Sequence, residues 1–297
     1  MAQLVSHELG DGPARAVAIH GITANGLSFA ALADQLRGRV GLIAPDLRGR
    51  ACSAGVQEGG YGLQAHARDV IELLEGLVRP DGEPIVVLGH SMGAFVAALV
   101  AAQRPDLVRE LILIDGGLAF PLPPGADGAA DIDATLTAII GPAMQRLAMT
   151  FADPDEYLAF WARHPALGEL STSQGPLGEA ARGYILHDLV RDEAGVYRSS
   201  CVLEAIRADG ASTLTDPATQ TAVADAVAAG VPSRLLWAPR GLLDEPQGMY
   251  DEQRLAALAP PADLVIEQVP DVNHYTILFD PDAVRRVGSV VADATAN

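Results

Sequence analysis

Cysteine is scarce in this chain of 297 residues, where Cys52 and Cys201 are the two examples. They lie far apart, so neither belongs to a close pair of the kind that marks a metal site or a redox motif. A disulfide framework is therefore not expected, and the pattern fits a reducing, cytoplasmic environment. No strand-turn-helix pattern exposes Cys52, so we expect it to be a small packed residue rather than a nucleophile.

Positively charged residues are also few. The chain has 20 Lys and Arg residues and 38 Asp and Glu residues, which gives a formal net charge of −18 at pH 7. Nucleic-acid binding needs a clustered basic surface, and anionic membranes attract the same kind of surface. Both classes of partner are therefore disfavoured. We interpret the acidic excess as a source of solubility.

Targeting, membrane and metal signals are missing too. Residues 1–17 lack the basic start and apolar stretch of a signal peptide. The most apolar region, 85–114, is interrupted by polar and charged residues, whereas a membrane span needs about twenty apolar residues in succession. His, Asp and Glu do not cluster at metal-ligand spacing. We expect a cytoplasmic enzyme that acts on a small molecule without a metal or cofactor.

The first part of the chain alternates apolar runs with helical patterns. The predicted strands are 14–19, 40–44, 85–88 and 111–114, and the predicted helices are 27–36, 63–78 and 94–103. This alternation predicts βαβ units, and hence a parallel sheet with helices on both faces. A chain of this length suits one large domain or a domain that carries an insertion.

The pattern changes after Asp115. Residues 120–128 are rich in Pro and Gly and indicate a linker, and 131–230 show helical patterns without a clear buried strand. The remaining predicted elements are strands at 233–237 and 264–269 and a helix at 282–293. We therefore predict that 1–118 and 231–297 form one core and that 119–230 form a helical cap.

Gly89-His90-Ser91-Met92-Gly93 fits the pattern G-x-S-x-G between a predicted strand and a predicted helix. In that context the serine lies on a sharp, strained turn with its hydroxyl exposed above the sheet. A side chain at either glycine would collide with the neighbouring strand or helix. The following helix contributes its positive dipole end and free N–H groups near a developing oxyanion. Ser91 is therefore the predicted nucleophile.

With this motif in place, the chain resembles the α/β-hydrolase superfamily over nearly all of its length outside the insertion. The shared features are His20-Gly21, Pro45-Asp46-Leu47-Arg48-Gly49, the 89–93 motif, an Asp after the strand that contains Leu235, and a His after the last strand. The order Ser, Asp, His is that of the family, whereas other serine hydrolase folds use other orders. The resemblance implies an α/β fold with a mostly parallel sheet, helices on both faces and a helical cap.

The resemblance also implies where the other catalytic groups lie. The base follows the last strand, where His274 is the matching one of seven histidines, and a serine needs such a base to remove its proton. The acid is expected at Asp244, after strand 233–237, with Glu245 and Asp115 as open alternatives. Its role would be to fix the tautomer of the imidazole.

Two backbone N–H groups are expected to form the oxyanion hole. One belongs to Met92, the residue after the nucleophile, and by resemblance the other belongs to Ile22, which follows His20-Gly21. His20 is expected to be structural. In the resembled family the segment with Asp46 and Arg48 is structural as well.

The composition points to an apolar pocket, because aromatic residues make up 5% of the chain and Ala, Leu and Met are common in the insertion. The candidates from the cap, residue types that are more often part of a core than of a pocket, are Tyr157, Phe160, Trp161, His164, Tyr184, His187 and Tyr197. We predict hydrolysis of a partly hydrophobic carboxylic ester, lactone or thioester through an acyl-enzyme. The alternatives are a C–C bond hydrolase of the same fold and a ligand-binding protein with vestigial hydrolase activity.

Overall fold

A seven-stranded sheet lies at the centre of the computed structural model, which describes residues 3–78, 82–119 and 132–296. Its strands are β1 Ser6–Leu9, β2 Ala14–Ile19, β3 Val40–Pro45, β4 Ile85–His90, β5 Val108–Ile114, β8 Ser233–Trp237 and β9 Val265–Gln268, and a separate two-stranded sheet is formed by β6 Leu189–Arg191 and β7 Tyr197–Ser199. The order in the sheet is β1-β3-β2-β4-β5-β8-β9. All neighbours pair in parallel except β1, which is antiparallel to β3. The predicted α/β fold with a mostly parallel sheet is confirmed.

Helices cover both faces of the sheet. The helices are α1 Ala30–Gln35, α2 Leu63–Leu77, α3 Met92–Gln103, α4 Ile132–Leu147, α5 Pro154–Trp161, α6 Gly168–Thr172, α7 Pro176–His187, α8 Leu203–Thr215, α9 Pro217–Ala228, α10 Glu252–Leu258 and α11 Pro281–Ala296. One face packs against α2, α3 and α9, and the other packs against α1 and α11. The carboxyl halves of the central strands β2, β4 and β5 are buried on both faces, which is typical of a parallel sheet covered by helices.

Helices α4 to α9 lie in the chain between β5 and β8, together with the antiparallel pair of β6 and β7. The predicted linker, 120–128, lies outside the described residues. Helix α9 packs against α3 through Ala222, Val223 and Ala226, which are all buried. Helix α9 therefore belongs to the helical layer that covers one face of the sheet together with α2 and α3, although it lies in the chain segment between β5 and β8. The division of the chain into a core and a cap stays a prediction.

Some short elements were not predicted. Strand β1 has the polar sequence SHEL, and β6 and β7 have three residues each, so none of them gives a clear alternating pattern. The helix predicted over 27–36 begins with a 3-10 turn at Gly26–Phe29, where the Asn25 side chain accepts a hydrogen bond from the Leu27 N–H. Across the described residues, no helix combines the length and the apolar character that crossing a bilayer requires.

A buried ion cluster ties α8 to α2 and to the segment that follows β3. The carboxylate of Asp209 lies 2.5 Å from the guanidinium of Arg50 and 2.9 Å from Nε2 of His66. Its second oxygen accepts a hydrogen bond from the Gly62 N–H at 2.7 Å. Burial by itself would raise the pKa of Asp209, but the charges of Arg50 and His66 outweigh it and hold this pKa below its usual value. Asp209 is therefore a charged group with buried partners.

Replacing Asp209 by Asn is expected to destabilise the fold by about 3–5 kcal/mol, because Arg50 is left as a buried charge without its counter-ion. Chemical denaturation followed by circular dichroism measures the change. Asp133→Asn is the matched control, because Asp133 in α4 forms an exposed ion pair with Arg207, which lies in α8 as Asp209 does. The unfolding midpoint of this variant should hardly change. Equal destabilisation by the two substitutions would contradict this role of the buried cluster.

Candidate active site

Ser91 lies at the turn between β4 and α3 with φ 56° and ψ −124°. A residue with a side chain is strained in this region of backbone space, and such strain is concentrated at functional sites. The Ser91 N–H donates to the carbonyl oxygen of Ile114 at 2.9 Å, which attaches the turn to the end of β5. The geometry is that of a nucleophile elbow.

Glycines surround Ser91 because neighbouring backbone segments approach one another too closely there to leave room for a side chain. A Cβ atom on Gly89 would lie 2.2 Å from the carbonyl oxygen of Gly93, and one on Gly93 would lie 2.1 Å from that of Ile19. A Cβ atom on Gly116 would lie 2.2 Å from the carbonyl oxygen of Ser91 itself. The sequence motif identifies the first two glycines. Gly116 was missed, since it follows a different strand.

His274 follows β9, as expected of the base, and its partner is Asp115. The Nδ1 atom of His274 lies 2.6 Å from Oδ2 of Asp115. Asp115 is fully buried at the end of β5, and its Oδ1 accepts a hydrogen bond from the Ala238 N–H at 3.0 Å. With Nδ1 engaged by the carboxylate, Nε2 is the ring nitrogen left for a reaction partner. Ser91 and His274 line the same cleft.

The sequence led us to expect that Asp244 pairs with His274, but in the structure the imidazole pairs with Asp115. Asp244 lies on the turn after β8, where Oδ1 accepts a hydrogen bond from Nδ2 of Asn273 at 2.9 Å and forms an ion pair with Arg240 at 3.2 Å. Its side chain is one-third exposed, whereas Asp115 is enclosed beside the imidazole. Asp244 therefore acts on the residue before His274 and not on His274 itself.

The alternative acid Glu245 is also directed elsewhere. Its Oε2 accepts a hydrogen bond from the Leu243 N–H at 2.8 Å. Asn273 organises the loop that carries His274, because its Oδ1 accepts hydrogen bonds from the N–H groups of Tyr275 and Thr276 at 3.0 and 2.9 Å. Asp244 and Asn273 together fix the loop, a role that the sequence did not reveal.

His20 fixes the turn that contains Gly21 and Ile22. Its Nδ1–H donates to the Gly21 carbonyl oxygen at 2.8 Å, and its Nε2 accepts from the Leu47 N–H at 2.9 Å. Burial lowers the pKa of His20 to about 3, so the ring is neutral. Because the carbonyl oxygen of Gly21 points to His20, the N–H of Ile22 in the same trans peptide points the opposite way.

Gly21 in turn lies against the nucleophile, since a Cβ atom on it would be 3.2 Å from Cβ of Ser91. Ile22 and Met92, the two residues expected to supply oxyanion N–H groups, both border the space around Ser91. His90 lies beside them, and its Nε2 donates to the carbonyl oxygen of His274 at 2.8 Å. Burial holds the pKa of His90 well below its usual value, so this ring is also neutral.

The cleft has two lobes that share Ile22, Ser91, Ile140, Leu242 and His274. The first lobe is lined in addition by Gly21, Thr23, Ala24, Ser28, His90, Tyr184, Tyr275, Leu278 and Phe279. The second lobe is lined in addition by Met92, Leu136, Ile139, Gly210, Thr213, Leu214 and Met249. Ser91 lies where the two lobes meet. Among the described residues, no Asp, Glu, Lys or Arg lines either lobe.

Of the cap residues considered from the sequence, Tyr184 lines the cleft. Tyr157 and Trp161 are buried in the core. His187 contacts Asp46 instead. Cys52 is exposed rather than packed as expected.

Asp46 and Arg48 lie outside the cleft. The guanidinium of Arg48 pairs with Asp69 at 2.6 Å, which agrees with a structural role. Within the described ranges, the one group of three His, Cys, Asp or Glu side chains close enough to share a metal ion is His7, Asp46 and His187.

Known proteins match part of this chain, and two of them serve as examples. "Lipase LipV" of Mycobacterium tuberculosis is 39% identical over 109 residues, which are 37% of this chain and 40% of that protein. "2-(Acetamidomethylene)succinate hydrolase" of Mesorhizobium japonicum is 41% identical over 108 residues, which are 36% of this chain and 37% of that protein. The matched segments thus span about two fifths of these relatives.

Solved structures match over almost the whole chain. The crystal structure of E-2-(acetamidomethylene)succinate hydrolase superposes with a TM-score of 0.72 at 23% identity, covering 98% of this chain and 95% of that one. A thioesterase domain from the curacin biosynthetic pathway gives a TM-score of 0.66 at 20% identity, covering 97% and 94%. At these identities the likeness shows the fold alone.

The sequence profile of the alpha/beta hydrolase family matches residues 16–287. This span includes Ser91, Asp115 and His274, and it runs from β2 into α11. The chain therefore belongs to the alpha/beta hydrolase family.

Proposed function

We propose that this hydrolase cleaves a carboxylic ester through an acyl-enzyme at Ser91. The observation that carries the proposal is the 2.6 Å contact between His274 Nδ1 and Asp115 Oδ2, in a cleft that also contains the strained Ser91. A nucleophile, a base and a buried acid that orients the base are the parts that such a reaction needs. In this proposal Asp115 takes the role that the sequence assigned to Asp244.

The reaction begins when Nε2 of His274 accepts the hydroxyl proton of Ser91 while Oγ bonds to the ester carbonyl carbon. The resulting imidazolium is stabilised by the carboxylate of Asp115. Its proton then passes to the alkoxy oxygen as the C–O bond breaks, which releases the alcohol and leaves the acyl-enzyme. Water repeats the sequence with His274 as its base and releases the acid.

The tetrahedral intermediates carry a negative oxygen that needs preorganised donors. The N–H groups of Ile22 and Met92 are proposed for this role. Support comes from the contact of His20 with the Gly21 carbonyl oxygen at 2.8 Å, which sets the plane of the Gly21–Ile22 peptide. Met92 is the first residue of α3. Its N–H group therefore lies at the positive end of the helix dipole, which favours a negative oxygen there.

The lining of the cleft favours an uncharged, partly hydrophobic substrate. The second lobe is formed almost entirely by apolar side chains of α4, α8 and neighbouring segments. A succinate-type substrate would leave its carboxylates without a cationic partner among the described lining residues. An ester with an aliphatic acyl chain fits better, and lactones and thioesters follow the same chemistry.

Replacing Ser91 by Ala should lower turnover of nitrophenyl esters by at least about a thousandfold, because the acyl-enzyme can no longer form. The rate is measured by release of nitrophenol, with a serine-directed phosphonate as a second probe that should inactivate the wild-type protein alone. Undiminished turnover in Ser91→Ala would reject the acyl-enzyme. It would also favour a binding protein whose slow hydrolysis arises elsewhere.

Asp115→Asn is expected to lower kcat by roughly ten-thousandfold, because the amide no longer selects the tautomer in which Nε2 of His274 is the base. Asp244→Asn is the matched control, because it makes the same change from carboxylate to amide at a residue that contacts Asn273 rather than His274. Its loss of kcat should be much smaller. If Asp244→Asn were as damaging as Asp115→Asn, or more so, the assignment of Asp115 would fail.

The substitution Ile139→Asp places a charge in the apolar lobe. It should lower kcat/KM for a long-chain ester by about tenfold or more while changing the value for the acetate ester little. Leu186→Asp is the control, because Leu186 is an exposed apolar residue that lines neither lobe. A parallel loss for both esters, or the same loss in the control, would argue against an acyl site in this lobe.

A further inference from the structure

Three polar side chains far apart in the sequence meet around the Asp46 carboxylate, outside the lining of both lobes. His7 comes from β1, Asp46 follows β3, and His187 is the last residue of α7. The Oδ2 atom of Asp46 lies 3.0 Å from Nε2 of His7 and 2.8 Å from Nε2 of His187. The two imidazoles meet edge to face, with 4.8 Å between ring centroids.

The donor atoms suit a metal ion of borderline softness. One ligand atom from each of the three residues lies within 4.8 Å of the other two. Zn²⁺ takes imidazole nitrogen and carboxylate oxygen at about 2.0–2.2 Å in tetrahedral geometry, which separates neighbouring ligands by roughly 3.3 Å. The observed contacts of 3.0 and 2.8 Å need a small opening of the cluster to reach that separation. The spacing along the chain gave no sign of this site, because the fold brings the ligands together.

We propose that His7, Asp46 and His187 bind a divalent first-row transition ion, with Zn²⁺ as the best fit and solvent in the fourth position. Both imidazoles are partly exposed, at 20% and 17% for His7 and His187, so an ion can enter from solvent. Metal binding requires the Nε2 lone pair of each neutral imidazole, with the single ring proton on Nδ1. No ligand changes its oxidation state.

The carboxylate of Asp46 is already oriented for this role. Its Oδ1 accepts a hydrogen bond from the Gly26 N–H at 2.9 Å, and its Oδ2 accepts one from the Cys52 N–H at 3.2 Å. Outer contacts of this kind hold metal ligands in place. The thiol of Cys52 also contacts Asp46. Any contribution of this thiol to metal binding therefore needs a separate test.

A metal ion at this site would link the insertion to the core. His187 ends α7, and one turn earlier the carbonyl oxygen of Tyr184 accepts a hydrogen bond from Nδ2 of Asn25 at 3.0 Å. The side chain of Tyr184 lines the first lobe of the cleft. The ion would therefore hold the helix that forms part of the substrate pocket, while His7, Asp46 and His187 themselves line neither lobe.

The test uses untagged full-length protein that has been stripped with a chelator. Co²⁺ is added as a spectroscopic probe, and Zn²⁺ affinity is measured by competition with a chromophoric chelator. We expect the intense visible bands of four-coordinate Co²⁺, one equivalent of bound Zn²⁺, and a rise in Tm of roughly 5 °C at a hundredfold excess of Zn²⁺ over its Kd. A weak octahedral Co²⁺ spectrum with no saturable Zn²⁺ binding would overturn the proposal.

Variants identify the ligands. His187→Gln and His7→Gln should each weaken Zn²⁺ binding by about tenfold or more, since each removes one of three ligands. His164→Gln removes a partly buried imidazole outside the cluster and should leave the affinity unchanged, as should Cys52→Ser. Equal affinity in the wild type and in both cluster variants would overturn the site, and so would loss of binding in Cys52→Ser alone. Circular dichroism of each variant reports its folding, and the Co²⁺ spectrum of the wild type decides the question if a variant does not fold.

Discussion

The close approach of three backbone segments around Ser91 is the constraint on which the rest of the structure depends. Gly89, Gly93 and Gly116 each lie so near another backbone that a Cβ atom would come within 2.1 to 2.2 Å of a carbonyl oxygen. This packing holds Ser91 at a positive φ and presents its side chain at the carboxyl edge of the sheet. The same edge carries Asp115 at the end of β5 and His274 after β9, because parallel strands bring their carboxyl ends together. The site is therefore a consequence of sheet topology as much as of the motif.

The helices above this edge are attached to the core by buried polar contacts rather than by apolar packing alone. Asp209 pairs with Arg50 and His66 on one side, and Asp46 pairs with His187 on another. Such contacts are directional, so they favour one position of α7 and α8 over others. Since α7 supplies Tyr184 and α8 supplies Gly210 and Thr213 to the cleft, the shape of the pocket depends on these contacts.

Much of the fold could be predicted from the sequence, because buried parallel strands are short apolar runs and the motif at 89–93 lies between a strand and a helix. The structure pairs His274 with Asp115, which the sequence left as an open alternative, rather than with Asp244, and the reason is physical. Asp115 and Asp244 both follow strands of the sheet, and only the three-dimensional path of the 271–274 loop shows that the ring of His274 faces Asp115 while Asn273 faces Asp244. Strand β1 and the contact of His7 with Asp46 depend on pairing at long range, which local patterns do not contain.

The acyl group bound to the protein is the most direct sign of the proposed reaction. The protein is mixed with an activated ester, quenched in acid during turnover, digested and analysed by mass spectrometry. The mass of the acyl group should appear on the peptide that carries Ser91, and the acylated fraction should increase when deacylation is slowed. Turnover of the ester with an unmodified Ser91 peptide, or with the acyl group on another residue, would contradict the proposed reaction.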